Sequence, residues 1–309
     1  MKTTNEIVFE TLEATGLNWT VAKEEMYLGN SKVIQDKFAV VRSDNQEPLG
    51  VVGNSYEFLQ NKDAAQMVVE TINGSFNKDA VFTHPWDNTG ESGSLGSFGN
   101  IGGGSLKGGR AIFLQIELDK AFIGKSDINR YITVTNKHDG SGSVGFGSTN
   151  QVVCCANTFA MANKFLSKFR HSSSLQQRLD EAMELYKAAL THEERQMEVF
   201  EQAANTKFDK HHIEDIVKSV FGVTTDVKKE DVSTRKLNSI KKFSDDVMTS
   251  INEQGETLWA LFNAATRYTN HSTNRRNKTE SLIFGADAQI AEKAYKTMLG
   301  WLNVELVNS

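Results

Sequence analysis

The stretch RYITVTNKHDGSGSVGFGSTNQVVCCANTFAMANKFLSKFRH, residues 130–171, decides how the chain is interpreted. Tyr131, Thr133 and Thr135 alternate with Ile132, Val134 and Asn136. This period of two is typical of a half-buried strand. The run HDGSGS supplies glycines that adopt the positive φ angles of a hairpin turn, and Val144 and Phe146 then resume the alternation. From Gln151 to Phe169, apolar residues recur at spacings of three and four, which predicts an amphipathic helix.

This stretch is basic, although the whole chain carries a formal charge of −5. Between residues 130 and 171 Asp139 is the single acid. The five cations are Arg130, Lys137, Lys164, Lys168 and Arg170. A glycine-rich hairpin beside a helix with a basic end is an arrangement that approaches a phosphate backbone closely. The alternative is a solvated helix end beside an ordinary tight turn.

Length and composition exclude several classes of protein. With 309 residues and 39% hydrophobic content, the chain can bury a large core as one or two domains. No apolar run approaches the roughly 20 residues of a membrane span, and the N-terminal MKTTNEIVFETLE has no apolar segment typical of a secretory signal. The two cysteines, Cys154 and Cys155, are interpreted as buried thiols in a reducing cytoplasm.

Strand patterns dominate the segments that precede residue 130. Residues 33–42 and 49–53 predict a hairpin, and Asn61 begins a predicted helix that ends at Gly74. Residues 84–109 contain nine of the 23 glycines. Because glycine loses much backbone entropy on ordering, this run predicts a long mobile loop, followed by a strand at residues 111–118.

After His171 the pattern becomes almost entirely helical. Five helices are predicted; they lie within residues 172–205, 208–222, 232–252, 257–271 and 287–304. The fold class is therefore α+β. A β-rich α+β core with antiparallel hairpins, a central helix and the glycine-rich loop occupies residues 1–171, and a helical region packs on it over residues 172–309.

The sequence contains no constellation that names a reaction. His211, His212 and Asp215 provide two convergent ligands at most, whereas a metal site needs three or four. Cys155 and His171 lie too far apart on one continuous helix to form a nucleophile–base pair. We therefore expect a protein without enzymatic activity, metal or cofactor.

Two further basic segments favour contact with a polyanion. Residues 266–279 contain four cations and no acid, and Tyr268 and His271 add rings that stack on bases. A second group, Arg235, Lys236, Lys241 and Lys242, lies on one predicted helix. Cations with interleaved rings are typical of grooves that bind single-stranded nucleic acid. Solvated surface is the alternative for each segment.

Several segments together resemble the phage- and plasmid-encoded family known as domain of unknown function 932. The resemblance runs from KFAVVRSDNQEPLGVVGNSYEFLQNKDAA through GGRAIFLQIEL to SLIFGADAQIAEKAY, roughly from Lys37 to Tyr295. Its most specific motifs are the Cys-x-Asn-Thr at 155–158, the Arg-His at 170–171 and the segment 267–271. The resemblance implies a mobile-element protein of the bacterial cytoplasm, but no activity.

The predicted order of hairpin, helix, three strands and basic helix is similar to the core of the Rad52-like single-strand annealing proteins. That similarity implies a homo-oligomeric ring or filament that binds single-stranded DNA along a groove of sheet and helix, with Tyr131 or Phe146 stacking on bases. The nucleic-acid-binding residues expected on this basis and from the basic segments are Arg130, Tyr131, Lys137, Lys164, Lys168, Arg170, His171, Arg267, Arg275 and Arg276. The alternative function is a phage protein that binds a host protein without nucleic acid.

Overall fold

A computed structural model describes residues 3–56, 58–75, 96–98, 101–141, 144–152, 157–166, 175–223 and 232–304. Within these ranges, only the backbone is described for residues 71–75, 96–98, 101–102, 119, 152, 157–166 and 175–180. No helix in the described part of the chain is both long and apolar enough to cross a bilayer.

The described chain forms nine strands and eight α-helices. The strands are β1 (Val21–Tyr27), β2 (Val33–Arg42), β3 (Pro48–Gly53), β4 (Gly96–Phe98), β5 (Ile101–Leu106), β6 (Ala111–Ile123), β7 (Ser126–Lys137), β8 (Gly145–Val152) and β9 (Asn157–Leu166). The helices are α1 (Thr4–Thr15), α2 (Asn61–Ser75), α3 (Leu175–Asn205), α4 (Lys210–Phe221), α5 (Thr234–Gln254), α6 (Leu258–Arg267), α7 (Lys278–Phe284) and α8 (Ala286–Trp301). A π-helical turn, Tyr268–Ser272, continues α6.

The strands form two sheets, one of order β1-β2-β3 and one of order β4-β5-β6-β7-β8-β9. Sheets therefore occupy the first half of the chain and helices most of the second, which confirms the α+β class. The local signals explain several boundaries. Thr3 and Glu6 form the reciprocal capping box of α1, and Gly16, with φ of 65°, ends that helix in the left-handed region that glycine tolerates.

Part of the glycine-rich stretch forms a strand, so the expectation of a mobile loop over the whole of residues 84–109 is wrong. Residues 101–106 form β5, which pairs antiparallel with β6 and places Gly103 opposite Leu114. A Cβ atom at Gly103 would lie 2.5 Å from the carbonyl oxygen of Phe113. The glycine thus permits a close approach of two backbones, which offsets part of its entropic cost. Residues 76–95 lie outside the described part.

The predicted central helix from Gln151 to Phe169 is also wrong. β8 extends to Val152, and residues 157–166 form β9 at the edge of the six-stranded sheet. Phe159, Met161 and Phe165 also fit a spacing of two, so a short apolar run of this length satisfies both periods. Residues 153–156, which include both cysteines, and residues 167–174 lie outside the described part.

The chain divides into two compact units. Unit 1 comprises residues 1–118, 131–147 and 162–190, and unit 2 comprises residues 119–130, 148–161 and 191–309. The core of unit 1 includes fully buried Met67, Phe146 and Tyr186. The domain boundary predicted at residue 171 lies outside the described residues and stays a prediction.

The core of unit 2 is built around Phe200 of α3. Its ring centroid lies 5.3 Å from that of Phe262 and 5.9 Å from that of Tyr295. Burial raises the pKa of the Tyr295 hydroxyl to about 12, so this residue stays neutral. The aromatic core fixes α3, α6 and α8 against one another and thereby sets the frame for α4 and α5.

Candidate nucleic-acid interface

Of the predicted contacts on β7, Arg130 is largely buried in an ion pair and Tyr131 is buried. The Arg130 Nε donates to Glu193 Oε1 at 2.7 Å, and the Glu193 side chain is completely buried. Tyr131 is 3% exposed, and Phe146, the other ring expected to stack on bases, is 1% exposed. The arginine thus serves a buried ion pair, and neither ring lies at the surface.

Of the remaining predicted DNA-contacting residues in the stretch 130–171, Lys137 is the one whose side chain the structure describes. Lys137 is half-buried at the end of β7, where its carbonyl oxygen accepts a hydrogen bond from the Tyr56 hydroxyl at 3.4 Å. Lys164 lies on β9, where only the backbone is described. Lys168, Arg170 and His171 lie outside the described residues.

Helix α5 carries a basic stretch on its first turns. Ser233 caps the helix by accepting a hydrogen bond from the Lys236 amide at 3.4 Å, and no acid occurs between residues 232 and 244. Phe243 and Val247 point into the core. Arg235, Lys241 and Lys242 are exposed, whereas Lys236, seven positions before Phe243 and so on the same face of the helix, is half-buried.

The segment after α6 is held in shape by hydroxyl and ammonium groups. The Thr269 hydroxyl donates to the Thr266 carbonyl oxygen at 2.8 Å, and the Thr273 hydroxyl donates to that of Thr269 at 2.9 Å. The Lys278 ammonium donates to the carbonyl oxygens of Thr269 and Thr273 at 2.7 and 2.8 Å. These bonds tie the π-helical turn and the residues after it to Lys278.

The two basic segments meet at Lys242 and Ser272. The Lys242 Nζ lies 3.5 Å from the Ser272 carbonyl oxygen, and the Ser272 hydroxyl donates to Asp246 Oδ2 at 2.6 Å. Burial raises the pKa of the Asp246 carboxyl, although the Ser272 hydrogen bond and the charge of Arg267 act in the opposite direction. Residues 30 positions apart are thus brought to one place.

Other cations of the segment 266–279 have structural partners. Arg267 Nη1 lies 3.1 Å from Glu253 Oε1, and its Nε lies 3.7 Å from Asp246 Oδ1. Arg275 Nε lies 3.2 Å from the carboxylate of Asp287, which is completely buried. Lys278 approaches the same carboxylate at 3.7 Å, and burial lowers the pKa of its ammonium.

The cations that remain directed outward define what we call the α5 basic surface. It consists of Arg235, the half-buried Lys236, Lys241 and Lys242 on α5, and we include with them the exposed Arg276, which follows Ser272 by four residues. Within the described part of the chain, none of these five is in an ion pair. The nearest acid along α5 is the exposed Asp245, so positive charge predominates on this surface.

A pocket of about 510 Å³ opens beside the α5 basic surface. Its lining residues are Phe221, Gly222, Val223, Val232, Ser233, Arg235, Lys236 and Ser239. The ring centroid of Phe221 lies 5.6 Å from that of Phe243 and 5.3 Å from that of Tyr268, both in edge-on geometry. Tyr268 itself is only 7% exposed, so it supports Phe221 and is not placed to stack on a base.

Comparison with models of protein families assigns the chain to a family. A family model described as Domain of unknown function (DUF932) matches residues 97–288, which is more than half of the chain. The chain belongs to the DUF932 family. Comparison with curated proteins and with solved structures finds no match.

The DUF932 match contains every residue of the α5 basic surface and of the pocket. It confirms the family resemblance drawn from the sequence over residues 97–288. Helices α1 and α2 and strands β1–β3 precede it.

The histidines of this DUF932 chain that suggested a partial metal site have a different role. The His212 Nδ1 accepts a hydrogen bond from the Asp209 amide at 2.9 Å, and Asp209 accepts one from the His211 amide at 2.8 Å. The group is therefore the capping box of α4. Across the residues that the structure describes, no three His, Cys, Asp or Glu side chains converge as metal ligands would.

Proposed function

We propose that this DUF932 protein binds single-stranded DNA through the α5 basic surface and acts without catalysing a reaction. The observation that supports the proposal is the 3.5 Å approach of Lys242 to Ser272, which brings the basic turns of α5 next to the basic segment 266–279. On a chain with a net charge of −5, such a local concentration of cations produces a field that attracts a polyanion.

A single strand suits this surface better than a duplex. Five cations neutralise only a few phosphates, and an acidic chain lacks the extended positive charge that duplex-coating proteins use. A single strand exposes its bases, so that half-buried apolar side chains beside the cations add to the binding. Phe221 is such a side chain.

A more specific version of this proposal is that the protein anneals complementary single strands. In that form the protein is encoded by a phage or plasmid, assembles as a ring or filament in the bacterial cytoplasm and pairs complementary strands as Rad52-like proteins do. The DUF932 resemblance supports it. The similarity in element order to Rad52-like proteins lends less support, because it included a basic helix where the structure has β8 and β9.

The test is a fluorescence anisotropy titration of a labelled poly-dT oligonucleotide at low and rising salt. We expect the logarithm of the binding constant to fall with the logarithm of salt concentration with a slope of about −3.5, because about five cations displace counterions from a single strand. Lys242→Glu should weaken binding by at least about tenfold, since it replaces an attraction by a repulsion.

The matched control is Lys62→Glu, which makes the same charge change at an exposed lysine of α2. Its affinity should stay close to that of the wild type. The proposal fails if the wild type does not bind at low salt, or if the two variants lose equal affinity.

One observation favours the second function, binding of a host protein. Tyr27, Val33 and Val51 on the three-stranded sheet, and Leu28 in the turn after β1, are each more than two-fifths exposed. Exposed apolar side chains grouped on a few strands are typical of protein-binding sites. A pull-down from bacterial lysate with Leu28→Ser as control separates the functions, because a protein complex persists after nuclease treatment and a DNA-bridged one does not.

A further inference from the structure

The pocket beside α5 has the dimensions and lining of a site for a planar organic ring. Its volume of about 510 Å³ lies within the usual range of ligand pockets, about 300–1,000 Å³. Phe221, Val223 and Val232 contribute apolar groups, and Arg235 and Lys236 contribute cationic ones. A nucleotide presents the complementary combination, a flat apolar base joined to an anionic phosphate.

The pocket is continuous with the α5 basic surface through the helix itself. Arg235, Ser239 and Lys242 follow one another at spacings of four and three, so they lie on the same face of α5. Arg235 and Ser239 line the pocket, and Lys242 lies one turn further at the contact with Ser272. A strand whose phosphates follow this face therefore passes the opening of the pocket.

We propose that this pocket receives one unpaired base of the bound strand, which makes the surface selective for single-stranded over duplex DNA. This inference rests on the proposed function. The Phe221 ring, held edge-on by Phe243 and Tyr268, provides the stacking surface at a fixed position. In a duplex the bases are paired and stacked, so a base enters the pocket only after flipping out of the helix at an energetic cost.

The test compares a poly-dT oligonucleotide with an abasic oligonucleotide of the same length, which carries the same phosphates but no bases. Stacking of one base corresponds to a preference for poly-dT of at least about fivefold. Ser239→Phe fills the pocket from α5 without changing its charge. We expect this variant to bind poly-dT as weakly as the wild type binds the abasic strand, with unchanged affinity for the abasic strand.

Two further variants keep the result interpretable. Ser239→Ala leaves the pocket open and should retain the preference. Val223→Phe fills the pocket from the end of α4, and it should reproduce the effect of Ser239→Phe if that variant folds poorly. Circular dichroism identifies which variants are folded.

The outcomes separate this inference from the proposed function. If the wild type binds neither strand, both proposals are overturned. If it binds both strands equally, or if the filled variants keep the preference for poly-dT, the pocket does not receive a base, whereas binding by the α5 basic surface stands. A preference that the filled variants abolish supports the inference.

Discussion

The guanidinium of Arg130 is paired with the carboxylate of Glu193, 63 positions further along the chain, and that carboxylate is completely buried. Arg130 itself is 16% exposed. Taking two charges out of water is costly, and the cost is offset only while both partners are present. The pair therefore holds β7 to α3 within unit 2, and it assigns Arg130 a structural role.

The first prediction concerns this pair. Arg130→Met leaves Glu193 buried without its cation, and the free energy of unfolding should fall by about 3–5 kcal/mol. The double variant Arg130→Met/Glu193→Leu should recover much of that loss, because neither charge remains buried. Urea unfolding followed by circular dichroism measures both.

The control for this experiment is Lys296→Met, which breaks the exposed pair between Lys296 and Glu292 on α8. Exposed pairs of this spacing contribute about 0.5 kcal/mol or less. A single Arg130→Met variant as stable as this control would show that the buried pair does not stabilise unit 2.

The second prediction concerns pH and His138. Its Nε2 lies 2.8 Å from the Asn61 Oδ1, and its ring packs edge-on against Trp19. Burial lowers the pKa of the imidazole to about 4; the charge of Asp139 raises it and that of Arg42 lowers it further. As pH falls below the ordinary value of 6.5, the unfolded chain takes up a proton before the folded chain does. Stability is therefore lost between pH 6.5 and about pH 4.

The expected loss from this residue is about 2 kcal/mol between pH 7 and pH 5, from the difference between the two pKa values. Urea unfolding at both pH values measures it. His138→Gln removes the titrating group, and its stability should depend less on pH than that of the wild type by this amount. Equal pH dependence of the two proteins would contradict the prediction.

The third prediction compares two glycines of β3. A Cβ atom at Gly50 would lie 2.5 Å from the backbone carbonyl oxygen of Asp139, whereas one at Gly53 would meet no atom within 4 Å. Gly50→Ala should therefore destabilise unit 1 by about 1–3 kcal/mol, because a backbone cannot retreat as a side chain can. Gly53→Ala on the same strand is the matched control and should change stability little. Thermal unfolding of the two variants distinguishes them, and equal melting temperatures would refute the packing argument.

Local signals made much of the fold predictable from the sequence. The capping box of Thr3 and Glu6, the hairpin of β2 and β3 and the apolar stripe of α5 each lie within a few residues, so their pattern determines their structure. The same reasoning failed for β9, because ten residues with apolar groups at mixed spacings satisfy both periods. It failed for β5 because the benefit of Gly103 depends on Phe113 of another strand.

The candidate site was less predictable for the same physical reason. The sequence located the basic segments 235–242 and 266–279, but it could not show that Lys242 reaches Ser272. The sequence also could not distinguish a cation held in an ion pair, such as Arg267 with Glu253, from a cation directed to solvent. Nothing in the sequence around Phe221 indicates that it lines a pocket. A phenylalanine at the end of a helix has the same sequence pattern whether it faces the core or a pocket.

The fourth prediction uses two neighbouring arginines that the structure assigns to different roles. Arg275 pairs with the completely buried carboxylate of Asp287, whereas Arg276 is exposed. Arg275→Ala should lower the free energy of unfolding by about 1–3 kcal/mol, because it leaves a buried carboxylate with Lys278 as its remaining cation. Arg276→Ala should leave stability unchanged. If Arg276 contacts a phosphate, its removal should weaken binding of single-stranded DNA of any sequence and make the salt slope shallower by about 0.7. Urea unfolding and anisotropy titrations on both variants measure the two effects, and a stability loss for Arg276→Ala equal to that of Arg275→Ala would contradict the division of roles.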